Sequence, residues 1–326
     1  MRNLLDPAIL FFIVGVLAGA VRSNLEIPPA ISRFLSLYLL MALGLKGGFA
    51  LSHSGLTAQI GISLSAAIVL AICIPLMGYL ILSRFVSGFD AAAVAATYGS
   101  VSAVTFVTAV QYLENSGVAY GGHMAAAMAL MESPAIIMAV VFANVLRQSS
   151  SDAVLQGQSA APSMKVGKIL HESFTDGAQL LLLGAMLVGL LTGDAGKAAM
   201  QPFSGDLFKG MLSFFLLDMG LMAARNLPKS HSHSPVLMAY AVLGPVTHAS
   251  LALALAVLLS LPVGDGALLM VLAASASYIA VPAVLRYALP ESNPSLYFGL
   301  SLGVTFPLNI LFGIPVYVFL AQALLS

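Results

Sequence analysis

The chain has 326 residues, of which 60% are hydrophobic and 8% charged, and its mean hydropathy is +0.99. Soluble domains carry about 25% charged residues, so a soluble globular fold is excluded. A net charge of zero with scattered basic residues leaves no footprint for nucleic acid.

Apolar runs predict about ten membrane-spanning helices, at roughly 20 residues per crossing. In chain order they fall at 7–24, 29–51, 57–84, 90–113, 118–146, 173–192, 205–225, 234–261, 265–288 and 295–324. The fold class is therefore an all-α membrane protein. Arg2, the apolar run from Ala8 and Ala18-Gly19-Ala20 resemble a cleavable signal peptide. A twin of this segment in the second half argues instead that it is a retained helix. Cys73, inside an apolar run, forms no internal disulfide and is expected to be a small core residue.

The polar stretch 148–172 divides the chain into a first repeat, 1–147, and a second, 173–326. A shift of 170 aligns Asp6, Ala8, Leu10, Leu17 and Gly19 with Asp176, Ala178, Leu180, Leu187 and Gly189. Further along, Leu43-Gly44-Leu45 answers Met219-Gly220-Leu221, and Glu114, Tyr120 and Gly122 answer Glu291, Tyr297 and Gly299. Matches in consistent order indicate a duplicated unit. With the polar stretch in the cytoplasm, Arg22, Arg33, Arg84, Arg147, Lys165, Lys168, Arg225, Lys229 and Arg286 fall inside. Only Arg2, Lys197 and Lys209 then fall outside. This positive-inside bias puts both termini outside the cytoplasm. Five spans per half make the two repeats inverted.

Two stretches break the apolar pattern at matching places. Tyr98-Gly99-Ser100-Val101-Ser102-Ala103-Val104-Thr105-Phe106 lies in the first half and Ser275-Ala276-Ser277-Tyr278-Ile279-Ala280-Val281-Pro282 in the second. Backbone freed by a helix break must be satisfied internally or line a polar cavity. Paired breaks in two halves mark a transporter's binding site. A half-helix N-terminus favours an anion, and the carbonyls ending the preceding half-helix favour a cation. The bland alternative for each hydroxyl is close helix packing.

Glu132, before Ser133-Pro134, is a mid-span carboxylate and a candidate cation ligand or proton carrier. Its positional counterpart is Thr305, with Asn309 nearby. Asp218 and Lys46 lie at comparable depths, either as an ion pair across the repeats or with Lys46 drawing in an anion. His123 and His248 could carry protons, though lone histidines on apolar helices read first as hydrogen-bonded core residues, and His231 with His233 is a weak metal signal. No phosphate-binding loop, hydrolase elbow or zinc-protease motif is present, so an enzyme is not expected.

Together, Gly44-Leu45-Lys46-Gly47-Gly48, Tyr98 to Thr105, Met131-Glu132-Ser133-Pro134-Ala135, Ala273 to Ile279 and Leu289-Pro290-Glu291-Ser292-Asn293-Pro294-Ser295 resemble the sodium-dependent bicarbonate transporter family, of the cyanobacterial permease type. The resemblance implies two inverted five-helix repeats, two discontinuous helices, an elevator-type movement, a homotrimer and a location in the plasma membrane. It implies sodium as coupling ion, no other cofactor, and in some members a P-II-like cytoplasmic regulator. Carried over by motif, Gly99, Ser100, Ser102, Ala103, Thr105, Ser277 and Tyr278 would meet bicarbonate. Ser275, with Glu132, Thr305 and Asn309, would serve the coupling cation. The chain departs from the pattern where Tyr278 replaces an aspartate, Val281-Pro282-Ala283 replaces Gly-Pro-Pro, Glu132 replaces an aspartate and Val104 replaces a hydroxyl residue. These departures leave open another small anion, a proton in place of sodium, or a membrane sensor that transports nothing.

Overall fold

The computed structural model describes residues 6–55, 57–151, 177–230, 234–279, 281–282, 284–285 and 289–326. Most of the polar stretch lies outside the described residues, as do Arg2, Lys165, Lys168, His231, His233 and Arg286. The described residues are helical almost throughout, as expected for an apolar chain that must satisfy its backbone internally.

Helix α1 (Pro7–Ala20) starts where Asp6 accepts the Ala8 N–H at 2.8 Å and Pro7 presets the first turn. Helices α2 (Pro29–Ser54) and α3 (Ala58–Leu82) follow, the first ending at Gly55 with φ of 67°. Next come α4 (Gly88–Gly99), α5 (Ala103–Asn115) and α6 (Met124–Ser151). The helical backbone of α6 thus continues past Arg147. The second half contains α7 (Gly177–Met200), a π-helical turn Gln201–Asp206, α8 (Phe208–Ser230), α9 (Pro235–Leu258) and α10 (Val263–Ala274). The last helix, α11 (Pro294–Leu325), is interrupted by π-helical turns at Ser301–Thr305 and Asn309–Gly313.

Among the described residues, six helical stretches are long and apolar enough to cross a membrane, and α1 and α10 are shorter apolar helices. The chain is thus an all-helical protein built for a bilayer. Helices α4 and α10 have 12 residues each and therefore extend only about 18 Å. That is well short of a hydrocarbon core about 30 Å thick. Both are buried on all sides: Ala91 to Gly99 and Gly264 to Ala274 contain no exposed residue. A helix that is apolar all round belongs inside a larger assembly, and here α3, α6, α9 and α11 surround the pair.

Helix α1 packs along α8, and α2 along α7. Glycines allow both approaches. A Cβ at Gly220 would collide with the Phe12 carbonyl, and one at Gly44 with the Leu182 carbonyl. A Cβ at Gly19 would meet the Leu221 carbonyl at 3.1 Å, and one at Gly189 the Leu45 carbonyl at 2.6 Å. These four contacts exchange in pairs under the sequence correspondence: Phe12 is the counterpart of Leu182, and Leu45 of Leu221. Small residues at such seams let backbones close up where lipid supplies no hydrophobic drive.

Two expectations are corrected. Cys73 is exposed on the outer face of α3 rather than in the core; apolar runs in a membrane protein do not distinguish lipid from protein interior. Lys46 does not pair with Asp218. Its ammonium bonds both Glu114 oxygens, at 3.0 and 3.1 Å, and lies 4.0 Å over the Phe208 ring. Equal depth on two helices does not make their side chains face each other.

Candidate functional site

The two buried half-helices end against each other. Helix α4 stops at Gly99 because Ser100 adopts an extended backbone, φ −94° and ψ 178°. Glycine is required just there: a Cβ on Gly99 would sit 2.6 Å from Cδ and Cγ of Pro75 on α3. Helix α10 stops in the same way at Ala274, with Ser275 extended at φ −82° and ψ 166°.

Two hydrogen bonds join the breaks, and local ones brace each side. The Ser102 N–H donates to Ser275 Oγ at 3.0 Å, and the Ser275 hydroxyl donates to the Leu272 carbonyl at 2.8 Å. The Ser277 N–H donates to the Thr97 carbonyl at 2.9 Å. Ser102 caps α5: its Oγ accepts the Thr105 N–H at 3.2 Å and the Thr105 hydroxyl at 2.9 Å. Ser277 plays a related part in the second half, accepting the Val281 N–H at 3.3 Å. All seven residues are at most 4% exposed.

Some polar capacity remains unused. The hydroxyl oxygens of Ser100 and Thr97 are buried without a hydrogen-bond partner. In the first turn of α5, the N–H groups of Ala103 and Val104 have no acceptor within the helix, as at any helix start. A buried hydroxyl left unpaired costs about 1–3 kcal/mol, so these atoms are arranged for something other than stability. Tyr278 is 5% exposed, has the Ser102 hydroxyl as a neighbour, and stacks edge-on against Phe306 at 5.3 Å. It turns into the crossing rather than away from it.

The remaining expected residues stand around this centre. Thr305 donates to the Ala241 carbonyl at 2.7 Å, so in its 2.6 Å contact with Tyr98 the phenol is the donor. Asn309 donates to the Ala274 carbonyl at 2.8 Å, gripping the last residue of α10, while its oxygen accepts from Tyr317 at 3.2 Å. Glu132 is half-buried on α6, two residues before Pro134. The structure therefore brings Gly99, Ser100, Ser102, Ala103, Thr105, Ser275, Ser277 and Tyr278 into one crossing. Thr305 and Asn309 brace it, and Glu132 lies on a helix packed beside it.

Sequence reasoning passed over Thr97 and Pro75. Thr97 contributes its main-chain carbonyl, which no sequence pattern marks; its position just before Tyr98-Gly99 was the available signal. His123, expected in a hydrogen-bonded core role, is 5% exposed with Nε2 3.5 Å from Asp265 Oδ2.

An ion entering this crossing would meet hydroxyls, helix-start N–H groups and helix-end carbonyls, with no basic side chain among the groups described. Two opposed half-helix breaks buried in an all-helical apolar chain define a membrane transport protein. The family model of the Na+-dependent bicarbonate transporter superfamily matches residues 7–322, and the chain belongs to that superfamily. It is a transporter, not an enzyme. Among curated proteins, none matches the chain.

Proposed function

We propose that the protein is a sodium-dependent bicarbonate symporter working by an elevator-type movement. The observation that carries this reading is the crossing of the two breaks, with unpaired Ser100 and Thr97 hydroxyls beside the α5 start. Bicarbonate would bind at that start, on Ser100, the Ala103 backbone and the Ser102–Thr105 hydroxyls, with Ser277 and Tyr278 closing the far side. Sodium would take the hydroxyl and carbonyl oxygens around Ser275 and the end of α4. Pairing one anion with one cation makes the moving load nearly neutral, which lowers the cost of carrying it through hydrocarbon.

Several features support the architecture. The exchanged glycine contacts of α1 with α8 and α2 with α7 are what two inverted five-helix repeats produce. Helices α3 and α9, which precede the two breaks in their halves, each carry an internal proline, Pro75 and Pro245. In this reading α1, α2, α7 and α8 form the stationary scaffold and the other helices carry the site. The domain limits 1–147, 148–172 and 173–326, both termini outside, a plasma-membrane location, a homotrimer and a P-II-like cytoplasmic regulator belong to the same proposal.

A second reading, transport of another small anion, is favoured by one observation: the bulky Tyr278 occupies the crossing. One experiment tests both. Uptake of radiolabelled bicarbonate into proteoliposomes is measured at fixed pH, with and without an inward sodium gradient, against unlabelled small carboxylates. Sodium-dependent accumulation that carboxylates leave unaffected is the expected result. Accumulation competed away by a carboxylate supports the second reading, and absence of flux in folded protein refutes both.

A further inference from the structure

Asp218 is the buried charge that the crossing leaves unexplained. It sits near the middle of α8, 5% exposed, and its Oδ2 is buried without a hydrogen-bond partner. The basic groups nearest in sequence and depth are committed elsewhere. Arg225, two turns along the same helix, donates to the Leu25 carbonyl at 3.0 Å, and Lys46 is held by Glu114. Among the described residues Asp218 has no ion-pair partner.

The fold does not require a carboxylate at this place. In the register that pairs Gly44 with Gly220, the counterpart of Asp218 is Ala42, fully buried on α2. One half makes the same helix seam with a methyl group. An ionised carboxylate inside a membrane protein is costly and marks function by default. With no ion-pair partner among the described residues, a bound proton is the simplest means of keeping such a group neutral.

Its surroundings identify where that proton acts. Tyr278, from the second break, has both Ser102 and the Asp218 carboxylate as electrostatic neighbours. The Ser32 hydroxyl of α2 is a further electrostatic neighbour of Asp218. Helix α1 brings no titratable side chain. On α2, Lys46 is bound to Glu114, Tyr38 to the Phe203 carbonyl and His53 to Asp194, and Arg33 is exposed. On α11, Tyr317 bonds Asn309 and Tyr297 is buried; on the π turn, Asp206 accepts from Gln201. On α8 itself, Lys209 pairs with Asp6. Among the described side chains, Tyr278 and Arg225 are the titratable groups within electrostatic reach of it. One carboxylate and two hydroxyls fall short of the six or more oxygens that a hard metal cation gathers, whereas a proton needs only one.

We propose that Asp218 is a proton-binding residue of the transport cycle, holding a proton on its carboxylate while Tyr278 faces it and releasing that proton to water when the second break moves away. The proton comes from water and returns to it, and Asp218 alternates between neutral and singly negative. Transport is then set by pH as well as by sodium. This inference rests on the transport reading above.

The test compares wild type, Asp218→Asn and Asp218→Glu in proteoliposomes, measuring sodium-driven bicarbonate uptake across pH at constant bicarbonate concentration. The wild type is expected to show a pH dependence that Asp218→Asn flattens and Asp218→Glu restores with a shifted midpoint. Infrared difference spectra of the purified proteins, acid minus neutral, should show a carboxylic-acid C=O band that Asp218→Asn lacks. A pH profile unchanged in Asp218→Asn overturns the proposal, as does an acid-induced C=O band that is the same in wild type and Asp218→Asn. If the wild type moves no bicarbonate, the transport reading fails. The infrared band then decides separately whether Asp218 takes the proton.

Discussion

The Ser102 N–H and Ser275 Oγ, 173 positions apart in the chain, meet at 3.0 Å and fasten the start of α5 to the end of α10. The serine oxygen accepts in this bond while its hydroxyl donates to the Leu272 carbonyl, so Ser275 carries structure as well as standing in the proposed sodium site. Ser100, on the same break, has a buried hydroxyl without a partner. Replacing the two serines should therefore have opposite effects on stability.

Ser275→Ala strips the Ser102 N–H of its acceptor and should cost about 1–3 kcal/mol, the penalty for a buried donor left unpaired. Ser100→Ala removes a hydroxyl that already lacks a partner, so the melting temperature should hold or rise. Sodium-driven uptake should nevertheless fall at least about tenfold, which corresponds to ~1.4 kcal/mol. Thermal melts in detergent alongside uptake assays check both. A Ser100→Ala protein that is destabilised but transports normally would reverse the assignment.

Gly99 and Pro75 set where α4 ends. Gly99→Ala places a methyl within 2.6 Å of the proline ring, and overpacking of this kind costs about 1–3 kcal/mol. Pro75→Ala in the same chain removes the obstructing ring and should recover part of that loss. A double variant no more stable than Gly99→Ala would show that the glycine serves the backbone turn instead.

Much of this site was legible in the sequence, for particular reasons. Ser102 is an N-cap residue placed one position before a new apolar helix, and serines in a hydrocarbon-length run had few other roles open to them. The matching cluster around Ser275 and Ser277 gave the second half of the crossing. What was not legible is how the halves touch. The Thr97 carbonyl that receives Ser277 is main chain, identical in every residue type. The outward face of Cys73 was hidden because lipid and protein interior select the same side chains. Lys46 and Asp218 share a depth, but only the rotation of their helices sends one to Glu114 and leaves the other unpaired.

Arg147 and Glu291 form a two-pronged pair, at 2.9 and 2.8 Å, tying α6 to the loop before α11. The guanidinium holds the Glu291 carboxyl below its ordinary range. A depressed carboxylate contributes stability above its unfolded value, and that contribution is lost as pH falls through the folded one. Arg147→Gln should therefore lower the melting temperature near neutral pH, modestly because both side chains are partly exposed. In strongly acidic buffer, where Glu291 is protonated folded or unfolded, the gap between variant and wild type should close. A gap that widens on acidification would contradict the pairing.

The helix seams provide the test of the repeat itself. Gly44 and Gly220 are counterparts, and each faces the carbonyl of a counterpart residue, Leu182 and Phe12, with no room for a methyl. Backbone cannot yield as a side chain does, so Gly44→Ala and Gly220→Ala should each destabilise by about 1–3 kcal/mol or more. Gly184, also within α7, has open space where its Cβ would go. Gly184→Ala should instead stabilise by about 0.5–1 kcal/mol, because alanine loses less backbone entropy in a helix. Melts of the three variants in one detergent settle the matter: similar losses at Gly44 and Gly220 with a gain at Gly184 fit two equivalent seams. A large loss at one seam and none at the other would mean that the halves, though alike in sequence, carry unequal loads.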